Sequence, residues 1–359
     1  MKEKNLILAI NPGSTSTKIA VYDGTEQLFI KSIKHSSDEI SQFAKIADQY
    51  EFRKEIILKE IQEAGFNLQE FKVIVGRGGL VKPISSGVWA VNEKMIEDLR
   101  IGISGEHASN LGGLIASDIA GNIPNAKAII ADPVVVDELE DIARISGHPL
   151  MPRKSVFHAL NQKAIARRYA KEINKKYEDL NLIGVHLGGG ISVGAHNKGK
   201  VIDVNQALDG DGPFSPERTG SLPSNELIRV CFSGKYTEQE VKKMIVGEGG
   251  FVAYLGTNDA YQVECRAKEG DKKCEFIQEA MAYQVSKEIG AMATVLKGKV
   301  DAILITGGIA YSKLFVELLK ERVGFIAPIH VYPGEDEMGA LAQNAMMLIN
   351  GEIECKEYV

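Results

Sequence analysis

Residues 6–24 read LILAINPGSTSTKIAVYDG, and residues 182–199 read LIGVHLGGGISVGAHNKG. Each is an apolar run, a turn of small or hydroxylic residues, and a second apolar run. That pattern spells a strand, a turn without bulky side chains, and a returning strand. Its occurrence twice predicts a duplicated sheet domain of the α/β class, with the two turns facing each other across a cleft. A third small-residue turn, ITGGIA at 305–310, follows another apolar strand and precedes a helix beginning near Ser312.

Outward from these stretches, short β-branched runs alternate with amphipathic segments, the pattern of helices layered on a sheet. Strands are expected at Leu6–Ile10, Ile19–Tyr22, Val73–Val75, Ala128–Ala131, Leu182–Leu187, Ile191–Ala195, Val300–Thr306 and Ile329–Tyr332. Helices are expected at Phe52–Ala64, closed by Gly65, at Asn161–Tyr177, and at Met338–Ile349. Thr237 and Glu240 make a capping box ahead of another. A chain of 359 residues is longer than one ordinary core serves, so two domains are expected. We divide it at 1–134, with the helix region 338–359 returning to that part, and 135–337.

Composition narrows the function. Hydrophobic residues make up 44% and charged residues 25%, which fits a globular protein. A net charge of −6, no basic block and 7% aromatics speak against nucleic acid as a partner. The apolar stretch near the start is too short for a membrane span or a signal core, and no later run reaches that length, so a cytoplasmic protein without a membrane partner is expected. Cys231, Cys265, Cys274 and Cys355 form no CxxC pair, so they read as reduced and structural.

The glycine turns are not the familiar nucleotide motifs. Gly13 is followed by Lys18 without a second glycine and by a strand, which excludes a Walker A loop. HLGGGISVG leads into a strand where a dinucleotide fingerprint needs a helix. What remains is a hairpin nest, in which backbone N–H groups converge and Ser14 and Ser16 add hydroxyls, an arrangement suited to phosphate. One such turn alone is ordinary hairpin chemistry; three in matching context favour an anion.

INPGSTSTK, VGRGG, GEHASNLGG, ADPVVVDE, FHALNQK, VHLGGG, FSPERTGS, LITGGIA and YPGEDE occur in this order over essentially the whole chain. In order and spacing they resemble the acetate and butyrate kinase family, within the actin-like ATPase superfamily. The wording NPGSTSTK, GRGGLVKP and RISGHPLMPRKSVFHALNQKA is similar to the butyrate branch, whereas the acetate branch reads NAGSSSLK and FHGTSH. The resemblance implies duplicated actin-like, ribonuclease H-like domains with a nucleotide cleft between them. It also implies a magnesium-dependent enzyme that makes butanoyl phosphate and ADP from butanoate and ATP, reversibly, as a homodimer or higher homo-oligomer. A branched short-chain acid, acetate or propionate is the alternative acceptor.

The same resemblance implies residue roles. Arg218 approaches the transferred phosphoryl group, and His158 steadies the transition state by hydrogen bonding. Asn11, Ser14 and Ser16, with Lys18, face phosphate oxygens. His186 precedes the second phosphate turn, Gly188, Gly189 and Gly190. Adenosine rests near Gly307, Gly308 and Ile309, with Asp259 beside the nucleoside, although the acetate branch carries an arginine where Tyr261 stands. Asp132 and Glu337 associate with magnesium, with Asp336 and Glu335 competing for the second place, and His107 lies near the substrate. Two bland readings stand beside these: Arg218 pairs with the acidic loop around Asp209 and Asp211, and Asp132 caps a following helix with Pro133 at its first position.

A carboxylic acid with a pKa of about 4 is already ionised at neutral pH, so the acceptor needs no catalytic base. The difficulty is bringing two anions together. Where the acetate branch reads HRVVHGG this chain reads VIVGRGG, so Ile74 replaces an arginine and Arg77 is the nearby cation that could hold the acceptor carboxylate. Gly76 aligns with the valine of the methyl pocket, and its missing side chain is expected to make room for a longer acyl tail. Two rival readings require other residues. A sugar or polyol kinase would want a catalytic aspartate where Arg218 stands, and a nucleotide-driven interaction module would carry a filament or peptide segment, which is not visible.

Overall fold

The computed structural model describes residues 5–359; the first four residues of the expected amino-terminal domain lie outside the described residues. Its strands are β1 Leu6–Pro12, β2 Ser16–Asp23, β3 Glu26–Lys34, β4 Phe71–Arg77, β5 Val88–Ala90, β6 Lys127–Ala131, β7 Asn181–Leu187, β8 Ile191–Asn197, β9 Lys200–Val204, β10 Ala302–Gly307, β11 Ile329–Pro333 and β12 Cys355–Lys356. The eight strands expected from the sequence are all present. The four others escaped for local reasons: β3 is an edge strand whose side chains are mostly exposed, β5 and β12 are very short, and Asp203 interrupts the apolar run of β9.

Helix ends follow their signals closely. Helix Tyr50–Glu63 is closed by Gly65 at φ 82°, with Phe66 N–H donating to Ile61 O at 3.1 Å. Thr237 and Glu240 form the reciprocal cap of helix Glu238–Ile245. One helix is shorter than expected: Ala159–Glu172 stops before Asn174, which takes a left-handed φ of 53°, and Tyr177 begins a separate 3₁₀ turn.

The chain divides into two compact units, Met1–Val136 with Asp336–Val359, and Asp137–Glu335. In the first, strands run in the order β12-β5-β6-β4-β1-β2-β3. β1 is central and buried along its whole length. Leu6, Leu8 and Ile10 share one core with Leu111, Leu114 and Ile115 of helix Asn110–Gly121. Alternation sends the fully buried Ile7 and Ala9 to the other face, and helix Glu337–Ile349 packs on β1, β4 and β6.

The second unit orders its strands β11-β10-β7-β8-β9. Ile183, Val185 and Leu187 of β7 share a core with Met281, Val285 and Ile289 of helix Lys272–Val295, while Leu182 packs with Ile165 and Tyr169 of helix Ala159–Glu172. The two sheets repeat one scheme. β1 pairs antiparallel with β2 and parallel with β4, and β7 pairs antiparallel with β8 and parallel with β10. A third antiparallel strand and a further parallel strand complete each, so the duplication read from the two hairpins is real. β5 and β12 are additions to the first sheet alone.

Candidate functional site

In the first unit the β1–β2 turn is held from beneath by Arg53, a residue the sequence did not single out. Only 1% exposed, its guanidinium donates to Gly13 O at 2.7 Å, Ser14 O at 3.1 Å and Ser16 O at 3.3 Å, and to the hydroxyl of Thr17 at 3.2 Å. Gln49 Oε1 takes two further N–H bonds at 2.8 and 3.2 Å. All its partners are neutral oxygens, and burial lowers its pKa to about 10. The turn's carbonyls are thus drawn inward, and a positive charge without a carboxylate partner lies directly below it. Ser14 and Lys18 are exposed, and Ser16 is half-buried.

At the ends of β1 and β4, Asn11 and Arg77 meet Glu337. The guanidinium of Arg77 pairs with Glu337 through Nη2–Oε1 at 3.0 Å and Nη1–Oε2 at 3.4 Å, and Asn11 Nδ2 donates to Glu337 Oε2 at 2.5 Å. Lys18 is the cross-strand partner of Asn11, so its side chain leaves the sheet on the same face. The three carboxylates expected to compete for the second place on magnesium each have a protein partner: Glu335 faces His186, Asp336 caps helix Glu337–Ile349 through Gly339 N–H, and Glu337 holds Arg77. Glu337 would have to release a guanidinium before it could hold a cation.

Asp132 lies one residue beyond Ala131, which pairs with Arg77, so the two side chains stand at neighbouring strand ends. It is 1% exposed, has a φ of 39°, and accepts the Gly87 N–H on Oδ1 at 2.7 Å. The segment after it is not a helix, so Asp132 caps none. His107 accepts the Ser109 N–H on Nδ1 at 3.2 Å and lies 2.8 Å from its hydroxyl.

Gly76 corrects a sequence expectation. A Cβ there would lie 2.2 Å from Gly112 O and 2.4 Å from its carbonyl carbon, so the missing side chain is filled by the backbone of helix Asn110–Gly121. The glycine serves the close packing of strand on helix and opens no room for an acyl tail. VGRGG and GEHASNLGG are thereby one packed element, with Asn110 Oδ1 also accepting the Leu80 N–H at 2.8 Å.

The second unit gathers most of the expected residues around the β7–β8 turn. Gly188 N–H donates to Gly190 O at 3.1 Å, and Ser215 Oγ donates to Gly189 O at 2.5 Å. Arg218 lies so close that a Cβ on Gly190 would sit 2.0 Å from its Nη1. Nη1 donates to Ala207 O at 2.5 Å, and the buried Nε–H has no partner. Asp209 and Asp211 instead accept from Gln206 and Gly212, so the pairing of Arg218 with the acidic loop does not occur. Burial pulls the guanidinium's pKa down, with Glu217 and Asp209 opposing at longer range.

His158 and His186 stack face to face, with centroids 3.7 Å apart and planes 8° from parallel. His186 meets Asn161 Oδ1 at 2.9 Å through Nδ1 and Glu335 Oε1 at 3.1 Å through Nε2, and Nε2 lies 3.2 Å from where Gly188 would carry a Cβ. Behind His158 runs a chain of hydrogen bonds. Tyr177 hydroxyl meets His196 Nδ1 at 2.7 Å, and His196 Nε2 meets Gln162 Oε1 at 2.9 Å. Gln162 Nε2 donates to Ser192 Oγ at 2.8 Å, and Ser192 Oγ meets His158 Nδ1 at 2.9 Å. The hydroxyl accepts from the amide and has its own proton to give to Nδ1; a neutral His158 ring that accepts it carries its proton on Nε2. Burial lowers His196 to about 3, so that link stays neutral. His158 and Arg218 therefore flank one turn, and Ser192, Gln162 and Arg53 are the supporting residues that sequence reasoning missed. Gln162 lay inside a quoted motif; nothing local marked Arg53.

Beside this turn lies a cavity of about 620 Å³ lined by Gly188, Gly189, Asp259, Gly308 and Ile309 among others. Asp259 Oδ1 caps helix Ala260–Lys268 by accepting from Tyr261 and Gln262 N–H. Gly307 ends β10 at φ 92° and exchanges backbone hydrogen bonds with Gly334. Among the described residues no group of three His, Cys, Asp or Glu side chains is gathered around a metal position, and no helix is long and apolar enough to cross a membrane.

Comparison with known proteins bears on the family and the fold. A family model described as the acetokinase family matches residues 143–326. Butyrate kinase 2 of Clostridium acetobutylicum is 58% identical over 352 residues, 98% of this chain and 99% of that protein. A probable butyrate kinase of Clostridium botulinum is 57% identical with the same coverage. Among solved structures, an acetate kinase of Porphyromonas gingivalis superposes with a TM-score of 0.78, covering 96% of this chain and 100% of that one at 16% identity. A propionate kinase of Francisella tularensis gives 0.75, covering 95% and 98% at 19% identity. These structural likenesses speak for the duplicated fold alone.

Proposed function

The chain belongs to the acetokinase family, and from that premise we propose that it transfers the γ-phosphoryl group of ATP to the carboxylate of butanoate, forming butanoyl phosphate and ADP reversibly. It is an enzyme, a phosphotransferase with a carboxyl group as acceptor. The observation that carries the choice of acceptor is the near-full-length likeness to butyrate kinases. A carboxylate oxygen attacks phosphorus as the bond to the β-phosphate oxygen breaks, and no proton has to leave the acceptor first.

Roles are assigned unit by unit. In the second unit, Arg218 directs its guanidinium to the oxygens of the transferred group, which is supported by a buried Nε–H that the protein does not use. His158 presents an Nε2–H to the same charge, its tautomer held by Ser192. His186 and Gly188–Gly190 border the phosphates, and the adjoining cavity takes the nucleoside near Gly307, Gly308, Ile309 and Asp259. In the first unit, Asn11, Ser14, Ser16 and Lys18 face phosphate oxygens, with Arg53 holding the turn. Arg77 binds the acceptor carboxylate by exchanging it for that of Glu337, and His107 lies near the acceptor.

Magnesium fits this chain in part. Asp132, a hard-oxygen side chain held at a strand end by Gly87, is the residue that would hold it. The ion would supply positive charge against the nucleotide's phosphates. The bonds of Glu337 to Arg77 and Asn11 argue against it as a direct ligand. We further assign the two compact units, Met1–Val136 with Asp336–Val359 and Asp137–Glu335, as the two actin-like domains, within two residues of the divisions expected at 134/135 and 337/338, and we infer a cytoplasmic homodimer or higher homo-oligomer without nucleic-acid or membrane partners.

The test is to incubate the protein with ATP, magnesium, hydroxylamine and single acceptors. Acyl hydroxamate with butanoate, and none with glycerol or glucose, is expected. Turnover of glucose in place of any carboxylate overturns the proposal, and preference for isobutyrate, propionate or acetate replaces the acceptor within the same reaction.

A further inference from the structure

Helix Lys272–Val295 turns an apolar stripe inward, with Cys274, Ile277, Met281, Val285 and Ile289 all buried. Gln278 lies on that stripe, one turn from Met281, and is only 4% exposed. A buried carboxamide on an apolar face normally finds a partner. Seven other Asn and Gln side chains are buried among the described residues, and each is hydrogen-bonded: Asn11 to Glu337, Gln49 to Arg53, Asn110 to Gly105, Asn161 to His186, Gln162 to Ser192, Asn205 to Ile191 and Asn344 to Ala340. Gln278 makes no hydrogen bond to any described residue, yet it lines the 620 Å³ cavity.

The cavity tells what would satisfy it. Gly188 and Gly189 of the phosphate turn border one part, while Phe251, Met281 and Ile309 supply apolar surface. A nucleobase presents apolar ring faces to such side chains and a ring edge of alternating donors and acceptors. A carboxamide carries one acceptor and one donor side by side, which complements a ring nitrogen next to an exocyclic amine. We propose that Gln278 recognises the polar edge of the nucleobase, the ring edge bearing the 6-amino group of adenine.

The proposal rests on the reading that this cavity takes the nucleoside of ATP, and its test separates the two. Dissociation constants are measured by calorimetry on the full chain for ADP, for 2′-deoxy-ADP, and for purine riboside diphosphate, which lacks the 6-amino group. Wild type is compared with Gln278→Met, which keeps the length and removes the amide. Gln278→Asn, which keeps the amide and shortens its reach, serves if the first variant fails to fold. ADP is expected to bind either variant roughly tenfold more weakly. The analogue lacking the amino group should lose clearly less affinity on substitution than ADP does, because only the bond to the ring nitrogen is left to lose. In turnover the change should appear in KM for ATP and not in kcat.

Equal ADP affinity in wild type and variant overturns the proposal and leaves the nucleoside reading standing. So does a coupling of Gln278 to the 2′-hydroxyl in place of the amino group. Failure of wild type itself to bind ADP overturns the nucleoside reading, and the proposal with it.

Discussion

Single residues decide the chemistry here through what surrounds them. Arg218 lies against Gly190 with an unused Nε–H, so Arg218→Lys, which cannot present a planar fork, is expected to lower kcat by about 10²–10³-fold. Hydroxamate formation measures this, and an ADP affinity close to wild type shows that the loss lies in the transition state. Ser192→Ala removes the hydroxyl that directs a proton to His158, and should reduce kcat on the order of tenfold with ADP binding retained. Gly76→Val inserts atoms where Gly112 O already lies, and is expected to cost at least about 3 kcal/mol of stability. Thermal unfolding checks it, and the butanoate-to-acetate ratio of whatever folds should be unchanged. That Arg218 and His158 come together was legible in the sequence because their motifs are distinctive, and the structure places both beside one glycine turn. Gly76 was misread because an absent side chain looks the same whether ligand or backbone fills its place.

At the scale of elements, the two hairpins were legible and their support was not. Period-two apolar runs around small-residue turns identify β1–β2 and β7–β8 from the sequence alone. Nothing in that pattern reveals that helix Tyr50–Glu63 sends Arg53 under the first turn, 40 residues away from Gly13. Arg53→Met should cost roughly 3 kcal/mol, since several bonds to a charged donor disappear and the carbonyls of the turn lose their partner. The same variant is expected to raise KM for ATP, because the loosened turn no longer presents its amides. Steady-state kinetics and denaturant unfolding of one preparation test both. The helix expected to reach Tyr177 shows the limit of periodicity in the other direction. Its amphipathic pattern continues, but Asn174 adopts a left-handed conformation and ends it.

Across the whole molecule the two units differ in how they are assembled. The second is one continuous stretch, Asp137–Glu335, whereas the first needs Asp336–Val359 to return. A chain truncated after Glu335 loses the helix on β1, β4 and β6, and should show no cooperative unfolding of the first unit by hydrogen exchange. The second unit also carries a pH response. Burial first, and then the negative charge of Asp211, raises the Glu288 carboxyl from 4.5 to about 7. The folded form therefore holds this proton more tightly than the unfolded one. Its contribution is complete below about pH 4.5 and is lost as pH rises through 7. Glu288→Gln should accordingly stabilise the protein at pH 8 by roughly 1–3 kcal/mol and hardly at all at pH 4.5, measured by urea unfolding. The sequence by itself determined eight of the twelve strands, the small-residue turns, two helix ends and the duplicated order, because each depends on neighbours within a few residues. Only the tertiary structure decided which side chains meet. Glu337 lies 326 residues from Asn11 and 260 from Arg77, and its choice of a guanidinium partner depends on how helix Glu337–Ile349 settles on a sheet already formed. Such distant approaches follow from shape and packing, which no local period encodes.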